Sequence, residues 1–118
     1  MLRVEKNDGT VISDKILNCD SFFKRALGLM FRTRLENFDG ILLSPCSSIH
    51  TFFMKMDIDC FFLSGENRVL KVIWRMGPSR LSGFIKGCRK VLELAPGTVG
   101  ENSVREGDTL VINEVINK

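Results

Sequence analysis

From Gly40 onward the apolar positions fall in short runs, "ILLS", "IHTFFMK", "CFFL", "RVLKVIW" and "KVLEL", bounded by Gly, Pro, Asn, Ser or Asp. Runs of this size, rich in Val, Ile and Phe, predict strands rather than helices. Upstream, "LRVEK" and "TVISDKILNC" form an opening pair of strands, joined at Asn7-Asp8-Gly9, where Asp-Gly predicts a tight hairpin turn. One stretch has a different period. In "DSFFKRALGLMFR", Phe23, Ala26, Leu27 and Met30 follow i, i+3, i+4, i+7 behind a cap at Asp20 or Ser21, which predicts a short helix that Gly28 weakens. The segment "RMGPSRLSGFIKG" breaks every period and predicts a long loop. After the Pro-Gly turn near the end come a weakly helical stretch and a last strand.

That last strand is preceded by Val104-Arg105-Glu106-Gly107-Asp108-Thr109-Leu110, which resembles the apolar-x-x-Gly-Asp-x-apolar turn of several small β-barrel folds. Gly107 admits a tight bend, and the Asp108 carboxylate is suited to accept backbone N–H bonds across it. Both are therefore predicted to be structural. The pattern as a whole predicts an α+β fold: a single domain over residues 1–118 with a mainly antiparallel, barrel-like β-sheet and one or two short helices.

Composition narrows the function only slightly. The chain has 118 residues, 44% of them hydrophobic, enough for one buried core. A formal charge of +3 is too mild for a dedicated nucleic-acid binder. The charged start "MLRVEKNDGTVISDK" lacks the apolar region of a secretory signal, and no run reaches membrane-span length, so a cytoplasmic protein is expected. Cys19, Cys46, Cys60 and Cys88 are dispersed, with no CxxC pair, and are expected to be reduced. Cys46 and His50 have ligand-like spacing but leave a tetrahedral zinc site two ligands short, so neither metal nor cofactor is expected.

The chemistry-bearing stretch is "SSIHTFFMKMDIDCFFL", where the only histidine lies among phenylalanines and methionines. As a strand over 49–55 it would put His50, Phe52 and Met54 on one face and Thr51, Phe53 and Lys55 on the other. Asp59, past a turn, could pair with Lys55 or reach His50. One reading makes these residues satisfied core and edge groups. The other gathers His50, Thr51, Lys55 and Asp59 with Arg25 or Arg32 around a small polar or anionic ligand, with Arg as a planar fork and Lys as a point charge. A hydrolase using His50 is the weaker alternative, because no nucleophile elbow, second histidine or Cys-His signature accompanies it. A further alternative rests on Lys71, Arg75, Arg80, Lys86, Arg89 and Lys90, six bases without an acid between 71 and 90, beside Trp74 and Phe84. Such a loop could dock an acidic protein, an anionic membrane or a nucleic acid.

Taken together, "RALGLMFR", "GILLSPCSSIHTFFMKMDIDCFFL", "RVLKVIW", "VLELAPGTV" and "EGDTLVI" resemble the DUF192 (UPF0127) family, from about Arg25 to Ile112. The resemblance implies a small α+β domain with a dominant barrel-like sheet, and it implies no catalytic assignment. Two positions depart from the family: Asp57 stands where a proline is usual, and Ser79 where an aromatic is common. Losing the proline frees φ and adds a charge, so a looser turn is expected at Asp57. The combined expectation is a non-catalytic binding module.

Overall fold

The structure, a computed structural model, describes residues 1–21, 29 and 32–116. Among the described residues seven strands follow one another: β1 (Leu2–Lys6), β2 (Val11–Cys19), β3 (Gly40–Leu43), β4 (Ile58–Leu63), β5 (Val69–Met76), β6 (Lys90–Leu94) and β7 (Leu110–Glu114). They form a single sheet in the order β5-β4-β6-β3-β2-β1-β7. Only β2 and β3 run parallel, joined by the long crossover through residues 20–39. The other neighbouring pairs are antiparallel.

The opening hairpin forms at Asp8-Gly9 as the dipeptide predicts. Gly9 takes φ +91°, the Asp8 carboxylate accepts the Thr10 N–H at 2.9 Å, and Lys6 N–H closes onto Thr10 O at 2.8 Å. The edge strands β5 and β7 then meet at one corner. Val69 N–H donates to Asp108 O, Gly107 N–H to Val69 O (both 2.8 Å), and Leu110 N–H to Asn67 O at 2.9 Å. The sheet is thereby curled into a half-barrel.

Two apolar layers follow from the curl. Leu2, Val4, Ile16, Leu42, Phe61, Val69, Leu92, Leu94 and Leu110 come from every strand and fill the inside. The outer face of the central strands carries Ile41, Leu43, Ile58, Cys60, Phe62 and Val91, covered by Leu29, Phe38, Ile49, Met54 and Cys88 from the crossover and loops. Strands β3 and β4 are therefore buried on both faces, and their nearly continuous apolar sequences reflect this.

The expected α+β class is not what is found. Among the described residues there is no helix, and the fold is all-β. The predicted helix in "DSFFKRALGLMFR" falls on residues 22–28, 30 and 31, outside the described residues. The second, weaker helical stretch is a series of turns, with Asn102 at φ +67°, a left-handed conformation that ends helical propagation. Nor is "IHTFFMK" a strand: only His50 makes an isolated bridge, to Leu81. A turn at Phe52-Phe53 interrupts it, and Ile49, Thr51 and Met54 are buried instead of an alternating set. No helix among the described residues is long and apolar enough to cross a membrane.

Candidate functional site

The segment after β3 and the loop between β5 and β6 are fastened to one another along their length. Ile85 N–H donates to Ser47 O and Ser82 N–H to Ile49 O, both at 3.0 Å, and Ile49 N–H to Ser82 Oγ at 2.9 Å. Thr51, fully buried, is the central clip. Its N–H donates to Arg80 O at 2.9 Å, its carbonyl accepts the Ser79 N–H at 3.0 Å, and its hydroxyl donates to Gly77 O at 2.7 Å while accepting the Arg80 N–H at 2.8 Å. A buried hydroxyl saturated in this way holds two loops in register. Ile49, Met54 and Cys88 anchor the platform from below in the outer apolar layer.

Several large apolar residues on these two segments are exposed. Phe84 is 75% exposed, Leu81 69%, Phe53 64% and Phe52 40%. His50 is exposed too, its ring stacked on Phe52 at 5.1 Å and its Nδ1 accepting the Phe52 N–H at 3.2 Å. Lys55, Arg80 and Lys86 are exposed on the same two segments.

The residues predicted to share a ligand do not converge. Arg25 lies outside the described residues. Arg32 is exposed, its guanidinium 5.1 Å over the Phe38 ring, a cation–π contact that gives it a structural partner. Thr51 is spent on the clip. Asp59 sits on the far side of the sheet: its neighbours Ile58 and Cys60 pack in the outer layer with Met54, so alternation along β4 turns Asp59 inward. There it lines a small cavity of about 100 Å³ with Trp74, Arg75, Val99 and Glu101. Among the described residues no ion pair joins Lys55 to Asp59. Of the predicted set, His50 and Lys55 stay exposed on the 47–56 segment.

Asp59 has a local task. Between Ile58 and Cys60 the register with β5 slips by a residue, a bulge that places Arg75 at φ +49°. The Arg75 N–H, lost to the ladder there, donates to Asp59 Oδ1 at 2.8 Å. Burial pushes the Asp59 carboxyl above the usual carboxylate range, with the Arg75 N–H and charge pulling it partly back. The six bases of 71–90 do not form one patch either. Lys71 and Lys90 are half-buried on strands, Lys90 donating to Asn67 Oδ1 at 2.7 Å, whereas Arg75, Arg80, Lys86 and Arg89 are exposed.

Two features escaped the sequence reading. The exposed phenylalanines were expected on the faces of a strand. Glu93, in the middle of β6, was not singled out, yet it is buried with Oε2 unpartnered, and burial pushes its carboxyl up to about 7. Its strand partners are Ile41 and Cys60. A charge amid "KVLEL", on a strand covered on both faces, was the signal available.

Fold and surface together define a class: a curled seven-stranded β-sheet domain that presents a two-loop apolar and basic platform. The chain belongs to the DUF192 family, described only as an uncharacterised ACR, whose pattern matches residues 3–112. It is 33% identical over 127 residues to a UPF0127 protein of Pyrococcus furiosus, covering 98% of this chain and 100% of that one. A UPF0127 protein of Thermococcus sibiricus is 29% identical over 112 residues, covering 91% of this chain and 71% of that protein. Two solved structures share the fold at 20% identity, each covering 93% of this chain. One, from Novosphingobium aromaticivorans and of unknown function, has a TM-score of 0.75 with 82% of that chain covered. The other, a Sinorhizobium meliloti protein solved as a candidate transcription regulator, has a TM-score of 0.74 with 90% covered.

Proposed function

We propose that this protein is a non-catalytic binding module whose docking face is the platform of residues 47–56 and 77–86, taking a partner with an anionic surface. The carrying observation is the set of exposed side chains there, Phe52, Phe53, Leu81 and Phe84 beside Lys55, Arg80 and Lys86, held on loops that Thr51 locks together. Exposed apolar clusters of this kind mark interaction surfaces. No acid occurs between Ser44 and Met56 or between Gly77 and Lys90, so bases outnumber acids on these two segments, with the exposed Asp57 bordering them beside Gly77. A pocket for a small ligand built on His50, Thr51, Lys55 and Asp59 is disfavoured by the sheet that separates Asp59 from the others. Hydrolysis through His50 is disfavoured because its Nδ1 is engaged by the next backbone amide but one.

Retention on immobilised heparin, eluted with increasing salt, tests the reading. The parent should be retained and the Lys55→Gln/Arg80→Gln/Lys86→Gln variant should elute early, because electrostatic docking weakens with each lost charge and with salt. Equal retention of parent and variant would defeat the assignment of this face.

A further inference from the structure

We infer that the platform docks on an anionic lipid surface, with Phe53, Leu81 and Phe84 entering the headgroup region and Lys55, Arg80 and Lys86 meeting the lipid phosphates and carboxylates. The inference rests on the docking face proposed above and goes beyond it in assigning the partner.

Four observations carry it. First, the apolar side chains belong to a fixed surface, because the backbone hydrogen bonds from Ser47–Ile85 to Thr51–Arg80 hold both loops in one arrangement. Second, Phe53 sits at φ +64°. Left-handed backbone is costly for a bulky aromatic, and glycine or asparagine would occupy it with less strain. The residue is 64% exposed. Third, the exposed cations flank the apolar positions in sequence: Arg80 precedes Leu81, Lys86 follows Phe84 by two residues, and Lys55 follows Phe53 by two. Aromatic and aliphatic tips with a basic rim match the boundary between acyl chains and anionic headgroups.

Fourth, the same chemistry argues against the other occupants. Single-stranded nucleic acid is held by flat aromatic faces on which bases stack, and Leu81, among the most exposed of the four, offers none. A second copy docking through the same face would set Lys55, Arg80 and Lys86 against their own equivalents, and like charges across an isologous interface repel.

The test is co-flotation of the protein with vesicles of phosphatidylcholine alone and of phosphatidylcholine mixed with phosphatidylserine. With three bases near the surface, binding to the mixed vesicles should be roughly 100-fold stronger than to neutral ones, and should weaken as salt rises. Phe53→Asn and Phe84→Ser should each reduce binding to mixed vesicles on the order of tenfold, the effect of one phenylalanine no longer buried on docking. Asparagine tolerates left-handed backbone, so Phe53→Asn should melt no lower than the parent, and its loss of binding cannot be ascribed to unfolding. Flotation that is unchanged in both variants overturns the inference. So does retention on heparin without flotation, which leaves the docking face standing and removes lipid as its partner. Binding to a single-stranded oligonucleotide with no flotation, or a dimer in sedimentation that Phe53→Asn dissociates, assigns the face elsewhere and also overturns it.

Discussion

Replacing Glu93 by glutamine tests the electrostatics of the central strands most directly. Glu93 is buried between Ile41 and Cys60, with Oε2 unpartnered, and its carboxyl is pushed from 4.5 to about 7 by burial alone. The folded protein therefore keeps this proton over a range in which the unfolded chain has already released it. Stability from Glu93 is fully present below about 4.5 and is lost as pH rises through about 7. At ~1.4 kcal/mol for each tenfold difference in proton affinity, the whole interval is worth about 3 kcal/mol. Urea titrations at intervals between pH 5 and pH 8 read this as a falling midpoint at constant slope. Glu93→Gln removes the titrating group, so parent and variant should diverge by roughly 2–3 kcal/mol over that span, the parent losing more as pH rises. Asp59, also held above the ordinary range by burial, adds a decline of the same sign. It is common to both proteins and cancels in the comparison. Parallel pH profiles for the two proteins would refute the reasoning, because a carboxyl that ionises equally in both states cannot be the buried group described.

Other substitutions probe the clip, the corner and the close approach of strands. Thr51→Val deletes the hydroxyl that serves Gly77 O and the Arg80 N–H, and should cost about 1–3 kcal/mol in denaturant titrations, with faster hydrogen exchange at the Arg80 amide; normal protection there would count against the clip. Asp108→Ala removes the carboxylate that accepts the Arg105 N–H at 2.9 Å and should lower the melting temperature by an amount equivalent to about 1 kcal/mol, whereas an unchanged melting curve would mean the turn holds without it. Gly40→Ala places a methyl group on the Glu93 carbonyl oxygen and against Leu94, so the β3–β6 pairing must part; a loss of at least about 2 kcal/mol is expected, and a neutral result would contradict the packing. His50→Ala and Lys55→Ala remove exposed groups and should each change stability by less than about 0.5 kcal/mol.

How far the sequence speaks for itself depends on which residues carry the local signal. Asp8-Gly9 specifies its turn by its own chemistry, and the runs "CFFL" and "KVLEL" specify strands because a doubly covered strand must be apolar almost throughout. "IHTFFMK" has the same composition and forms no strand. Its backbone polar groups are taken up by the distant 77–85 loop, a tertiary choice that no window of neighbouring residues contains. The candidate site failed for a related reason. His50, Thr51, Lys55 and Asp59 are close in sequence, but the chain enters β4 between them and Asp59 emerges on the opposite face. Spacing placed them together; the sheet divides them. Glu93 was hidden differently: one acid in an apolar run is ambiguous until both faces of β6 are known to be covered.

The corner where β5 meets β7 also bears on how the chain can be assembled. Strand β1 is made well before β7, yet one of its two ladders is supplied by Leu110–Glu114. During synthesis, or in any partly folded state, that side of β1 presents unpaired N–H and C=O groups until the final strand arrives. Contacts of such long sequence separation form slowly, because loop closure must come before they contribute. The hydrogen bonds between Gly107–Asp108 and Val69 tie the turn before β7 to β5, so the docking of β7 beside β1 also joins the two edges of the sheet. A chain that stalls before this step carries an open edge able to pair with another copy of itself, so the half-barrel is most vulnerable to aggregation in the interval before its last strand docks.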